Sequence, residues 1–88
     1  MSSELSADDV RGVVFSKSGV GRRGYDPKSV QELLQLAARR LDGRGYLRAD
    51  DVRAAKLRTS SVFSRGYDRA EVDAFVDRLV AAIRALEP

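Results

Sequence analysis

The chain repeats itself at a fixed interval of 42 residues, and nothing else in the sequence constrains the fold as strongly. LSADDVR at Leu5 to Arg11 returns as LRADDVR at Leu47 to Arg53, and RGYD at Arg23 to Asp26 returns as RGYD at Arg65 to Asp68, without a gap. Ser18, Val20 and Val30 keep the same offset with Ser60, Val62 and Val72. The apolar positions Leu33, Leu34, Ala38 and Leu41 match Phe75, Val76, Val80 and Ile83. A unit of about 40 residues buries too little surface to fold by itself. The two copies, residues 5–41 and 47–86, are therefore expected to share one core in a single domain spanning 1–88.

Each copy reads as helix, loop, helix. Ser6 is placed to cap a short helix, with Asp9 three residues on as an acidic capping box. Arg48 replaces the serine in the second copy, so that helix starts less sharply or is capped from elsewhere. Asp26 before Pro27 reads as an N-cap with proline at the first helical position, and Asp68 with Glu71 as a capping box. Downstream, Val30, Leu33, Leu34, Ala37, Ala38 and Leu41 form one apolar stripe, as do Val72, Phe75, Val76, Leu79, Val80, Ile83 and Leu86. The stripes are read as the core, with a coiled-coil-like seam for self-association as the other use of such a face. Asp42, Gly43, Arg44 and Gly45 end the first long helix. The expected fold class is all-α: two pseudo-twofold-related repeats of short helix, basic loop and long helix in a small four-helix arrangement. The short connector predicts that the second short helix runs back beside the first long one.

Charge is concentrated where the repeat places it. Phe15 to Tyr25 holds Lys17, Arg22 and Arg23 and no acid, and Lys56 to Tyr67 holds Lys56, Arg58 and Arg65 and no acid. The net charge is +3, so the two loops carry more positive charge than the whole chain. A pseudo-twofold axis would bring both loops to one end. Such an end suits anionic phospholipid headgroups, at about 1 kcal/mol for each cation near the surface. Phe63, with Val62 beside it, could add about 1.5 to 3 kcal/mol by inserting a ring. Gly21 stands opposite Phe63 in the first copy and has nothing to insert. The bland alternatives are a solvated loop and a Phe63 ring folded back onto the helices.

Composition narrows the chemistry. Cysteine and histidine are both absent, which removes disulfides, thiolate and imidazole metal ligands, the commonest general base and the best neutral-pH nucleophile. No catalytic residue, metal site or cofactor is expected. With 43% hydrophobic and 33% charged residues the chain has an ordinary globular composition. MSSELSADDV lacks the basic start and apolar run of a secretory signal, so the expected compartment is the cytoplasm.

The ordered pattern of Leu-x-x-x-Asp-Val, basic loop, Gly-Tyr-Asp and then Glu-Val-Asp-x-Phe resembles the N-terminal module of the bacterial DivIVA scaffolds. The second copy carries it in Leu47, Asp51, Val52, Phe63, Arg65, Gly66, Tyr67, Asp68, Glu71, Val72, Asp73 and Phe75. The first keeps Leu5, Asp9, Val10, Phe15, Gly24, Tyr25, Asp26 and Val30, but has Ser29, Val30, Gln31, Glu32 and Leu33 in place of the last run. The resemblance implies a cell-division or polar-growth adaptor that recruits a division or cell-envelope protein. It also implies that Phe63 and Arg65 contact the inner face of the membrane; Val62, Arg58, Lys17, Arg22 and Arg23 join them as candidate membrane contacts from the basic-loop pattern alone. Gly24, Tyr25, Asp26, Gly66, Tyr67 and Asp68 are then the structural motif. The family's long coiled coil does not follow, so a full scaffold is not expected. Duplication suggests an intramolecular pseudo-dimer, with pairing of two chains left open.

Three rivals are weaker. Gly19-Val20-Gly21-Arg22-Arg23-Gly24 matches the dinucleotide pattern GxGxxG, but the second copy has Ser61 and Phe63 in place of the first two glycines and no open sheet is visible. A basic nucleic-acid-binding helical protein fits a pI near 9.7 and is the alternative reading, although Glu71, Asp73 and Asp77 would face phosphates with negative charge. Enzymatic use of Asp8 with Asp9, or Asp50 with Asp51, is less natural than their favourable place at helix starts.

Overall fold

Capping side chains fix where the helices start in the computed structural model, which describes residues 5–61 and 65–88. The helices are α1 (Ala7–Gly12), α2 (Pro27–Leu41), α3 (Ala49–Ala54) and α4 (Arg69–Arg84), and the described residues contain no extended strand. The chain is therefore mostly helical, as its apolar spacing predicts. Before α1, Ser6 Oγ accepts from the Asp9 N–H at 3.1 Å and Asp9 accepts the Ser6 N–H at 2.9 Å. Arg48 has no acceptor to offer α3, so half the box survives as Arg48 N–H to Asp51 at 2.9 Å. The free Ala49 N–H is capped from elsewhere, by the Glu87 carboxylate at 2.8 Å.

Asp26 accepts from the Ser29 N–H and Asp68 from the Glu71 N–H, capping α2 and α4. The expected capping box at Asp68 is only half made. Glu71 turns its carboxylate to the Ser16 N–H of the first copy at 2.8 Å, because the Asp68 N–H is already held by the Ser16 carbonyl. Helix α2 closes with Gly43 at φ +80°, its N–H bonded to the Arg40 carbonyl and the Arg44 N–H to that of Arg39. This is the left-handed glycine stop its sequence predicts.

Helix α1 packs on α2, α3 on α4, and α2 on α4. The expectation that α3 runs back beside α2 is corrected: Asp50 meets Arg84 at 3.4 Å, so α3 starts at the far end of α4 and lies along it. The seven residues Asp42 to Arg48 let the chain cross over, and Ala49 and Val52 bury against α4. One apolar cluster runs through all four helices, from Val10 through Val30, Leu34 and Ala37 to Val52, Val72, Leu79 and Ile83. Leu86 departs from its stripe. It lies beyond the end of α4 and is half exposed, with 49% of its surface open.

The loops carry what the helical pattern could not foretell. Residues 16–18 run antiparallel to 66–68, and 58–60 to 24–26. The Ser18 N–H bonds the Gly66 carbonyl at 2.7 Å, and the Ser60 N–H bonds the Gly24 carbonyl at 2.7 Å. The Asp68 N–H reaches the Ser16 carbonyl, and the Asp26 N–H that of Arg58, both at 2.7 Å. Between them Tyr25 and Tyr67 exchange N–H and carbonyl bonds at 3.0 and 2.9 Å. Each bond in one direction has its counterpart 42 residues on in the other.

Glycine is required at the crossing. A methyl group at Gly24 would fall on the Tyr67 carbonyl oxygen, and one at Gly66 on that of Tyr25. Backbone cannot yield as a side-chain tip does, so Gly24→Ala and Gly66→Ala should each destabilise the fold by about 3 kcal/mol in chemical denaturation. Gly12→Ala, which meets nothing within 4 Å, should be neutral or stabilise by up to about 1 kcal/mol.

Candidate functional site

The crossing brings the two basic loops together at the starts of α2 and α4. Each tyrosine reaches across to the other copy's long helix. The Tyr25 hydroxyl donates to Asp73 at 2.6 Å, and the Tyr67 hydroxyl accepts from Gln31 at 3.2 Å, position 31 being the counterpart of 73. The same exchange occurs two residues earlier, where the Arg58 N–H bonds Ser29 Oγ at 3.2 Å as the Ser16 N–H bonds Glu71. Ser18 and Ser60 lie buried inside the crossing. Ser60 Oγ serves both the N–H and the carbonyl of Gly24, while Ser18 Oγ turns to the Arg22 carbonyl at 3.2 Å.

Cations line the outside. Lys17 Nζ stands 5.5 Å from the Tyr67 ring centre, and the Arg69 guanidinium 5.2 Å from that of Tyr25. Arg65 Nε donates to the Ser18 carbonyl at 2.7 Å, binding the second loop to the first. Arg22 and Arg23 flank an open hollow of about 390 Å³ with Ser18, Asp68 and Arg69. A turn shapes that hollow: the Arg22 N–H bonds the Gly19 carbonyl and Gly21 sits at φ +78°, where glycine is favoured. Arg58 is exposed on the other side of the crossing. The structure thus gathers Lys17, Arg22, Arg23 and Arg65 around one pair of loops, while Val62 and Phe63 lie outside the described residues.

Sequence reasoning missed Arg69, which the first copy replaces with Pro27 and so carries no repeat signal. It also gave Ser18 and Ser60 no role, although their conserved 42-residue offset marks them. Gly24 and Gly66 make the close approach, Tyr25 and Tyr67 the cross-bridges, and Asp26 and Asp68 the helix caps. Among the described residues, no cluster of acidic side chains is arranged to hold a metal ion, and no helix is long and apolar enough to cross a membrane.

No protein-family model matches the chain, and neither a curated protein nor a solved structure is significantly similar to it.

The Tyr25 phenol is held above its ordinary value, first by its bond to Asp73, which ionisation would turn into repulsion, and next by burial; Arg69 opposes both. A raised folded-state value means that the contribution to stability is fully present below about pH 10 and is lost as pH rises through that value. Asp73→Asn removes the charge, so difference absorbance of the phenolate, taken against Tyr25→Phe, should show Tyr25 titrating at lower pH than in the parent. Tyr25→Phe itself should cost about 1 kcal/mol near neutral pH and flatten the alkaline loss of stability.

Proposed function

We propose that the chain is a DivIVA-like tandem module: a non-enzymatic adaptor in which two repeats fold about a pseudo-twofold axis as one domain, imitating within one chain a dimer of such modules. In this reading it works at sites of bacterial cell division or polar growth, contacting a protein partner and, through its crossed loops, the anionic inner face of the membrane. The observation that carries it is the exchange of bonds at the crossing. In a symmetric dimer, residue i of one chain contacts j of the other while j contacts i. Here Ser18 to Gly66 is answered by Ser60 to Gly24, Asp26 to Arg58 by Asp68 to Ser16, and Tyr25 pairs with Tyr67 in both directions. A tandem chain that replaces a homodimer would have this pattern. A chain of two unrelated helical hairpins would not.

The membrane part is supported by the gathering of Lys17, Arg22, Arg23 and Arg65 at the starts of both long helices, with Phe63 two residues from Arg65 in the sequence. Each cation near an anionic surface contributes about 1 kcal/mol, and a buried ring about 1.5 to 3 kcal/mol. The sum favours reversible binding, which several copies together would strengthen.

Sedimentation with vesicles tests it. The parent should pellet with phosphatidylserine-containing vesicles and not with neutral ones, and added salt should weaken the effect. Phe63→Ala and an Arg22→Ala, Arg23→Ala double variant should each pellet several-fold less, as should Arg65→Ala. Equal pelleting of all these proteins, or of none, sinks the membrane reading. Salt-sensitive retention on DNA without vesicle binding would instead favour the nucleic-acid alternative.

A further inference from the structure

The two copies are not filled alike. In the first, Phe15 packs against Tyr67 and Phe75, with ring centres 5.3 and 5.7 Å away, and is 93% covered. The counterpart positions 42 residues away hold Leu57, Tyr25 and Leu33. Two of three rings are thus missing. Leu57 is only half buried, and a groove of about 410 Å³ opens over Leu33, Val52, Leu57 and Val76.

The same substitutions that open the groove are accompanied by others that charge its rim. Arg53, Lys56 and Arg69 border it; their counterparts are Arg11, Val14 and Pro27. One cation has thus become three. The single carboxylate on the rim, Asp73, already accepts the Tyr25 hydroxyl.

We propose that this groove docks an aromatic side chain, of the size of phenylalanine, presented by an acidic segment of a partner protein. The chain itself shows the fit. In the other copy an equivalent place takes the ring of Phe15, which arrives from an extended segment just after α1. A floor of leucine and valine offers burial to a phenyl ring, and three cations match acidic residues on either side of it. A nucleobase would leave its polar edge without partners on that floor. The inference deepens the adaptor reading and rests on it only for there being a protein partner.

The probe is a synthetic peptide with one central phenylalanine flanked by aspartates, titrated into the isotope-labelled chain and followed by amide chemical shifts. Saturable shifts at Val52, Leu57 and Val76 are expected, weakened about tenfold or more when alanine replaces the phenylalanine. Leu57→Phe, which supplies the ring that the first copy already holds, should remove binding by about tenfold or more while leaving helical content and vesicle pelleting unchanged. Lys56→Glu gives a second measure from the rim and should weaken binding several-fold without touching the floor. No saturable shift, equal affinity for the alanine peptide, or undiminished binding by folded Leu57→Phe would overturn the proposal. So would the same residues shifting first with an oligonucleotide, with vesicles, or with rising protein concentration, each naming a different occupant. A parent that pellets with vesicles but ignores the peptide loses this inference alone; one that binds the peptide but not vesicles loses only the membrane reading.

Discussion

Backbone hydrogen bonds traded between the two Gly-Tyr-Asp turns set the position of everything else in this molecule. Each turn leaves buried amides and carbonyls that its own segment does not satisfy, and an unsatisfied buried backbone group costs about as much as a lost hydrogen bond. The other turn supplies the partners, Gly66 for Ser18 and Gly24 for Ser60. Because Asp26 and Asp68 also cap α2 and α4, the pairing fixes the origin of both long helices at once. Their apolar stripes then meet from a shared starting point. Burial of Val30, Ala37, Val72 and Leu79 supplies the driving force, while the crossing supplies the register.

The short helices are held differently, although their sequences are nearly the same. Arg11 and Arg44 converge on Asp42, which ties α1 to the end of α2 and keeps the Asp42 carboxyl below its usual range. In the second copy Arg84 reaches Asp50, and Glu87 caps the Ala49 amide. These ion pairs are exposed and contribute little to stability. What they have in common is placement: each fastens a short helix to the far end of its own long one.

Much of this was legible in the sequence, for physical reasons that also mark the limit. Three- and four-residue apolar spacing identifies α2 and α4, and Ser6, Asp26, Asp68 and Gly43 mark where helices begin or stop, because capping is local chemistry. The pairing of the loops was not legible. It involves only two or three residues at a time, too few for an alternating pattern, and its partners lie more than thirty residues apart. Glu71 misled for the same reason: a glutamate three residues after an aspartate reads as a capping box, and only the fold reveals that the Ser16 amide competes for it. The packing of α3 on α4 depended on a seven-residue connector whose path no propensity dictates. Arg69 escaped notice because attention to the repeat hides positions where the copies differ.

The connector from Asp42 to Arg48 has a consequence reaching past the fold. Two separate identical chains meeting through such a crossing would associate in proportion to their concentration, and any mutation would appear on both sides of the axis. A short covalent tether instead holds the two halves at an effective concentration in the millimolar range, so the pairing persists at any dilution. It also releases each half from copying the other: one turn of the crossing can keep its serine, glycine and tyrosine for cohesion while residues beside it change singly. A tether of this kind thereby lifts the symmetry that two identical chains would have to keep, leaving either half free to specialise.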